Sequence, residues 1–113
     1  MVSAAKLVER LELKPHPEGG WYRELHRSSV SVQTARGSRS ALTTIYYLLE
    51  RGQLSRWHVV EADEVWHFYA GAPLELLAYD PQTRKLQRHT LGPVTDGGES
   101  VAIIATGVWQ AAR

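Results

Sequence analysis

The chain has 113 residues, 43% of them apolar, and a formal charge of +1, which fits one modest domain and gives no electrostatic reason to expect nucleic acid or an anionic membrane as partner. It contains no cysteine, so disulfides, thiolate catalysis and cysteine-ligated zinc are excluded, and a reducing cytoplasm is the expected location. Lys6, Glu9, Arg10 and Glu12 interrupt any secretion-signal core, and no apolar run is long enough to cross a bilayer.

The first expected element is a short helix over 4–11, with Ala4, Leu7, Val8 and Leu11 on one face and Ser3 as its cap. The helix stops before Pro15 and Pro17, and the segment Lys14 to Gly20 reads as a shaped loop leading into a strand. From Trp21 the punctuation is that of an all-β chain. Strands are expected at 21–26, 41–49, 54–60, 64–70, 74–79, 86–90, 100–105 and 108–112. The stretch 41–49 (ALTTIYYLL) reads as buried. The Ser-, Arg- and Gly-rich stretch 27–39 reads as an exposed loop, and 91–99 as a Gly-rich one. Short strands without intervening helices indicate a sandwich or small barrel.

The chemistry-bearing stretch is Gly52 to Gly71, GQLSRWHVVEADEVWHFYAG. Strand alternation puts Leu54, Arg56, His58 and Val60 on one face of the first strand, and Glu64, Trp66 and Phe68 on one face of the second. A tight turn at 61–63 joins them, so His58 and Glu64 can project into one interior. An imidazole and a carboxylate there can act as an acid/base pair or bind a divalent metal; a buried pair that only holds two strands together is the plain alternative. His67 falls on the opposite face. Trp66 and Phe68 are candidate pocket walls, Trp57 a candidate interface residue, and one of Tyr46 and Tyr47 must face inward. Arg23 follows the His16–Gly20 loop and can face a ligand or form a surface ion pair. No Gly-x-Ser-x-Gly elbow is present.

The same stretch resembles the first motif of the cupin superfamily, in which a glycine is followed by His-x-His, a glutamate and a second glycine. His58, Glu64 and Gly71 match, and Val60 stands in place of the second histidine. The second motif is Pro-x-Gly-x-x-His; Gly107 matches it, while Ala105 replaces the proline and Gln110 the histidine. HPEGGWYREL at 16–25, TTIYYLL at 43–49, DEVWHFYAG at 63–71 and GVWQAA at 107–112 resemble more narrowly an uncharacterised branch labelled cupin-5.

The resemblance implies a cupin-type double-stranded β-helix, a jelly-roll barrel with a short N-terminal helix, as a single domain over 1–113. Members of the branch continue past Trp-Gln-Ala-Ala, so it also implies missing C-terminal strands. It implies a small polar ligand, sugar-like or nucleotide-sugar-like, and an isomerase- or epimerase-like reaction with His58 and Glu64 as catalytic residues. Arg23, Tyr46, Trp66, Phe68 and Gln110 are the expected ligand-binding residues. The alternatives are a metal-dependent oxygenase or isomerase, with His58, Glu64 and Gln110 as ligands to a divalent metal, and a non-catalytic storage-type protein. With two imidazoles replaced, a metal-free pocket is the preferred expectation. Outward aromatic and aliphatic positions lead us to expect a homodimer.

Overall fold

The computed structural model describes residues 3–113. Its contacts divide into two compact units, one ending at Arg51 and one from Gly52 to Arg113.

In the first unit, α1 (Ala4–Arg10) begins at Ser3, whose hydroxyl accepts the Lys6 N–H at 3.2 Å, a standard N-cap. Beyond it come β1 (Lys14–Pro15), β2 (Trp21–Arg27), β3 (Ser31–Thr34), β4 (Gly37–Ser40) and β5 (Thr43–Leu48). β1, β2 and β5 form one sheet, in which Tyr22 pairs with Tyr47 and Arg23 with Tyr46. The His16–Gly20 loop is clamped onto that sheet. His16 meets the rings of Tyr22 and Tyr47 edge-on, at centroid distances of 4.9 and 5.1 Å. Its Nδ1 accepts the Glu18 N–H at 2.9 Å, and the Tyr47 hydroxyl donates to the Gly19 carbonyl. Gly20 makes the fit possible. Its φ is +80°, and a Cβ there would lie 2.7 Å from the Leu48 carbonyl oxygen.

Two segments differ from expectation. The polar stretch 27–39 is not wholly a loop: β3 and β4 pair as a separate two-stranded ribbon, exposed except at Ser40. Its polarity reflects two solvated faces rather than missing backbone pairing. β5 is shorter than expected and exposed from Thr43 to Ile45, with only its second half partly covered.

The second unit holds β6 (Ser55–Val59), β7 (Glu64–His67), β8 (Leu74–Asp80), β9 (Lys85–Leu91), β10 (Val101–Ile104) and β11 (Trp109–Ala112). A 3₁₀ turn at Val94–Asp96 lies in the Gly-rich loop. The strands form a four-stranded sheet, β6-β11-β8-β9, and an antiparallel pair, β10-β7. Leu76, Ala78, Leu91 and Ala112 of the larger sheet and Ala102 and Ile104 of the smaller are buried and make the core. A register irregularity where β11 meets β6 interrupts the expected alternation of β6. It buries Ser55 while Leu54 and Arg56 are exposed, although His58 keeps its partly covered place.

Candidate functional site

The site is built by two turns fastened together in the second unit. Asp63, in the turn between β6 and β7, accepts the Thr106 backbone N–H through Oδ1 at 2.9 Å. The Gly107 N–H donates to the Val60 carbonyl at 3.2 Å. This brings the β6–β7 and β10–β11 connections side by side. On β7, Glu64 pairs with Ile104 and Trp66 with Ala102. Because Ile104 and Ala102 are buried, Glu64 and Trp66 share the core-facing side. Val65 and His67 fall on the other face, as alternation requires. Phe68, just past β7, is half-buried and donates its backbone N–H to the Ser100 carbonyl at 2.8 Å.

Across the core, the inner face of the larger sheet carries a transverse row. Gln87 pairs with Ala78, Ala78 with Gln110, and Gln110 with His58. Gln110 is 1% exposed. Trp66 Nε1–H donates to its Oε1 at 2.9 Å, joining the two sheets. An indole nitrogen only donates, so this bond fixes the amide's orientation: oxygen toward Trp66, nitrogen away from it. That buried Nε2 has no acceptor among the described residues.

His58 Nδ1 lies 2.7 Å from the Arg56 carbonyl oxygen. A carbonyl only accepts, so Nδ1 carries the hydrogen and the neutral ring presents Nε2 as an acceptor. Glu64 is half-buried, its side chain makes no hydrogen bond or ion pair among the described residues, and the His58 and Glu64 side chains are not bonded to each other. The structure therefore brings Trp66, Gln110 and His58 together by bond and register, and sets Glu64 on the same side as Trp66.

Arg23 and Tyr46 belong to the first unit, where they are direct cross-strand neighbours. The Arg23 guanidinium donates to the Leu11 carbonyl at 3.3 Å and pairs with Glu12 at 3.4 Å. It thus tethers the end of α1, where a cation also complements the helix dipole. Tyr46 is half-buried.

Among the described residues, no three His, Asp or Glu side chains cluster closely enough to hold a metal ion. The Gln110 oxygen, its only ligating atom, is engaged by Trp66. The residues present do not fit the metal that such barrels carry.

One pair was not foreseen from sequence. His89 Nδ1 and Glu99 Oε2 are 3.0 Å apart in a broad concavity of about 510 Å³, bounded also by Gln87 and Thr90. The alternation of β9 with buried Leu91 could have placed His89 on the inner face. Glu99 could not have been found that way, because it arrives through loop closure. Its N–H donates to the Thr90 carbonyl and its carbonyl accepts the Gly92 N–H. Gly98 approaches Gly92 so closely that a Cβ would sit 2.8 Å from its backbone. A second cavity, of about 190 Å³, is lined by residues of β8 to β10 and the turns beside them, Ala78, Asp80, Thr83, Lys85, Gln87 and Ile103 to Ala105, together with Val108.

Nine solved chains match this one. A hypothetical protein from Leishmania major is 34% identical, with a TM-score of 0.90, over 98% of this chain and 69% of that one. A protein from Shewanella oneidensis is 31% identical, with a TM-score of 0.88, over 100% of this chain and 70% of that one. No curated protein matches. The family model described as "Cupin superfamily (DUF985)" matches residues 5–113. With that match along almost its whole length, and with a strand-dominated structure superposing closely on those relatives, the chain belongs to the DUF985 family of the cupin superfamily and has its β-sandwich fold.

Proposed function

We propose that the chain binds a small polar molecule between the two sheets of its second unit, at the inner-face row of His58 and Gln110 opposite Glu64 and Trp66. The observation that carries this reading is the Gln110 amide. Trp66 fixes its orientation, and its Nε2 is enclosed without an acceptor among the described residues. A buried donor left unmade costs about 1–3 kcal/mol, and a ligand oxygen would remove that cost.

The same constellation supports proton transfer next to a carbonyl. The Gln110 N–H groups would hold the ligand's carbonyl oxygen. His58 Nε2, or the Glu64 carboxylate, would take the proton from the adjacent carbon while the C–H electron pair moves toward that oxygen. Returning the proton to the other face inverts the centre, the step of an epimerase. No step passes through a metal. The family match over 5–113 supports reading the chain as one domain. The lack of cysteine supports the cytoplasm as its location.

The test is thermal unfolding against a library of small polar compounds. A specific ligand at about 100 times its Kd adds roughly 2.7 kcal/mol, a rise in Tm of several degrees for a domain of this size. The rise is expected for the native chain and not for Gln110→Met. Equal stabilisation of both proteins would sink the reading, as would a library without a single hit.

We also infer that the chain forms a homodimer. On the outer face of the larger sheet, Val59, Trp109, Tyr79 and Leu86 lie in register across all four strands. Val59 and Trp109 are each 40% exposed, and Trp57 beside them 46%. An apolar row of this width on a small domain supports association with a second copy.

A further inference from the structure

Resting on the Gln110 reading, we propose that the ligand is a small α-amino carbonyl compound with no acid group, such as an amino-acid amide, its ammonium held by Glu64 and its carbonyl oxygen by Gln110. One bond and one strand step define the place. Trp66 Nε1–H donates to Gln110 Oε1 at 2.9 Å across the two sheets. Glu64 lies two residues back along β7 on the same core-facing side, about 7 Å away by the rise of a strand. His58 is the register partner of Gln110 on β6.

The hydrogen-bonding groups set the polarity of the ligand. With its oxygen engaged by Trp66, the Gln110 amide offers N–H, and that Nε2 is enclosed without an acceptor among the described residues. Neutral His58, whose Nδ1 hydrogen goes to the Arg56 carbonyl, offers only an acceptor at Nε2. The Glu64 carboxylate also only accepts. One donor group therefore stands with two acceptors. The complementary ligand brings one accepting oxygen and several donors, as a carbonyl and an ammonium do.

Charge points the same way. The Glu64 side chain has no ion pair among the described residues. The only Lys or Arg that register places on the inner faces of the second unit's two sheets is Lys85, among the described residues. It stands on β9, two strands from Gln110, with Asp80 directly opposite. A carboxylate without a counter-ion favours a cation that can donate to it, and the Trp66 indole, next on the same face, favours one too. An acid group on the ligand would meet Glu64 with no nearby cation to hold it.

The span also agrees. In an α-amino carbonyl compound the nitrogen and the oxygen are roughly 3 Å apart by standard bond lengths. A hydrogen bond of about 2.9 Å at each end lets such a molecule cover the step from Gln110 to Glu64.

The test uses the full ¹⁵N-labelled chain at neutral pH and reads the side-chain amide signals of Gln110, assigned by their loss in Gln110→Met. The probes are the amides of glycine, alanine, valine and phenylalanine. Each has three controls that change one feature: the 2-hydroxy amide in place of the amino amide, the free amino acid, and the parent amine without its carboxamide. At least one amino amide is expected to shift the Gln110 signals, with its controls weaker by about tenfold or more, the worth of a hydrogen bond to a charged group. Glu64→Gln should weaken that amide by about tenfold as well. Should that variant not fold, raising sodium chloride from about 50 to about 500 mM replaces it, and should weaken the amino amide while sparing the hydroxy amide. A hydroxy amide that binds as tightly as its amino counterpart and still shifts Gln110 would overturn the ammonium contact and leave the pocket standing, as would unchanged affinity in Glu64→Gln. Equal binding of the free amino acid would overturn the exclusion of acids, and equal binding of the parent amine the carbonyl contact. Amide binding that Gln110→Met does not weaken would overturn the pocket as well. Silence of the Gln110 signals toward all four amides would overturn the proposed ligand class.

Discussion

At the residue scale, the informative bond is the one between Trp66 and Gln110. Removing one partner of a buried hydrogen bond leaves the other unsatisfied, whereas removing both can be nearly neutral. Trp66→Phe, which leaves the enclosed Gln110 amide without this bond, should therefore cost about 1–3 kcal/mol, and Trp66→Phe combined with Gln110→Met distinctly less than the sum of the two single changes. A coupling energy of about 0.5–3 kcal/mol in urea unfolding is the expected result; strict additivity would mean that the bond does not form in solution. The two faces of β7 were legible beforehand. Alternation alone placed Glu64 and Trp66 on one face and His67 on the other, because β7 pairs regularly with β10. Alternation said less about β6, where the irregular register beside Gln110 places Ser55 inside rather than Leu54 or Arg56. It could not reach Glu99 at all, since that carboxylate is delivered to His89 by two glycines whose backbones touch.

At the element scale, the His16–Gly20 loop behaves as a buckle on the β2–β5 pairing. Its hold comes from one imidazole against two tyrosine rings, from the Glu18 cap and from the Tyr47 hydroxyl. Edge-on aromatic pairs contribute about 0.5–1.5 kcal/mol each, so His16→Ala should lower stability by roughly 1–3 kcal/mol. Amide exchange should rise at Glu18 and Gly19 more than in β8 and β11. A uniform rise across the chain would contradict a local buckle. The proline and glycine pattern announced this loop, but its contact with Tyr47 spans 28 positions in sequence and has no local signal. The capped helix was read within one residue of its observed end, since Ser3 and the apolar spacing are local features. The ribbon at Ser31–Ser40 was missed because periodicity reports burial, and this ribbon has almost none.

At the scale of the whole molecule, the outer row Val59–Trp109–Tyr79–Leu86 predicts the oligomeric state. Light scattering at about 100 μM should give twice the chain mass. Trp109→Arg, on an outward position at 40% exposure, should give the single-chain mass without loss of native chemical-shift dispersion. A native chain that stays monomeric at that concentration would contradict the dimer. This property was legible only as a surplus of outward apolar residues. That they line up in one row depends on the order β6-β11-β8-β9, which joins strands distant in sequence.

The β3–β4 ribbon has a use of its own. Its base is closed by the Ser28 N–H on the Leu42 carbonyl at 2.8 Å and the Ala41 N–H on the Val30 carbonyl at 2.7 Å. The chain thus leaves and re-enters the β2–β5 pairing at nearly one point, and the ribbon's strands pair only with each other. Such a detour is interchangeable in length and content. It is the natural place to graft an epitope or fluorophore, and the place where related genes can gain or lose codons while the rest of the polypeptide keeps its frame of contacts.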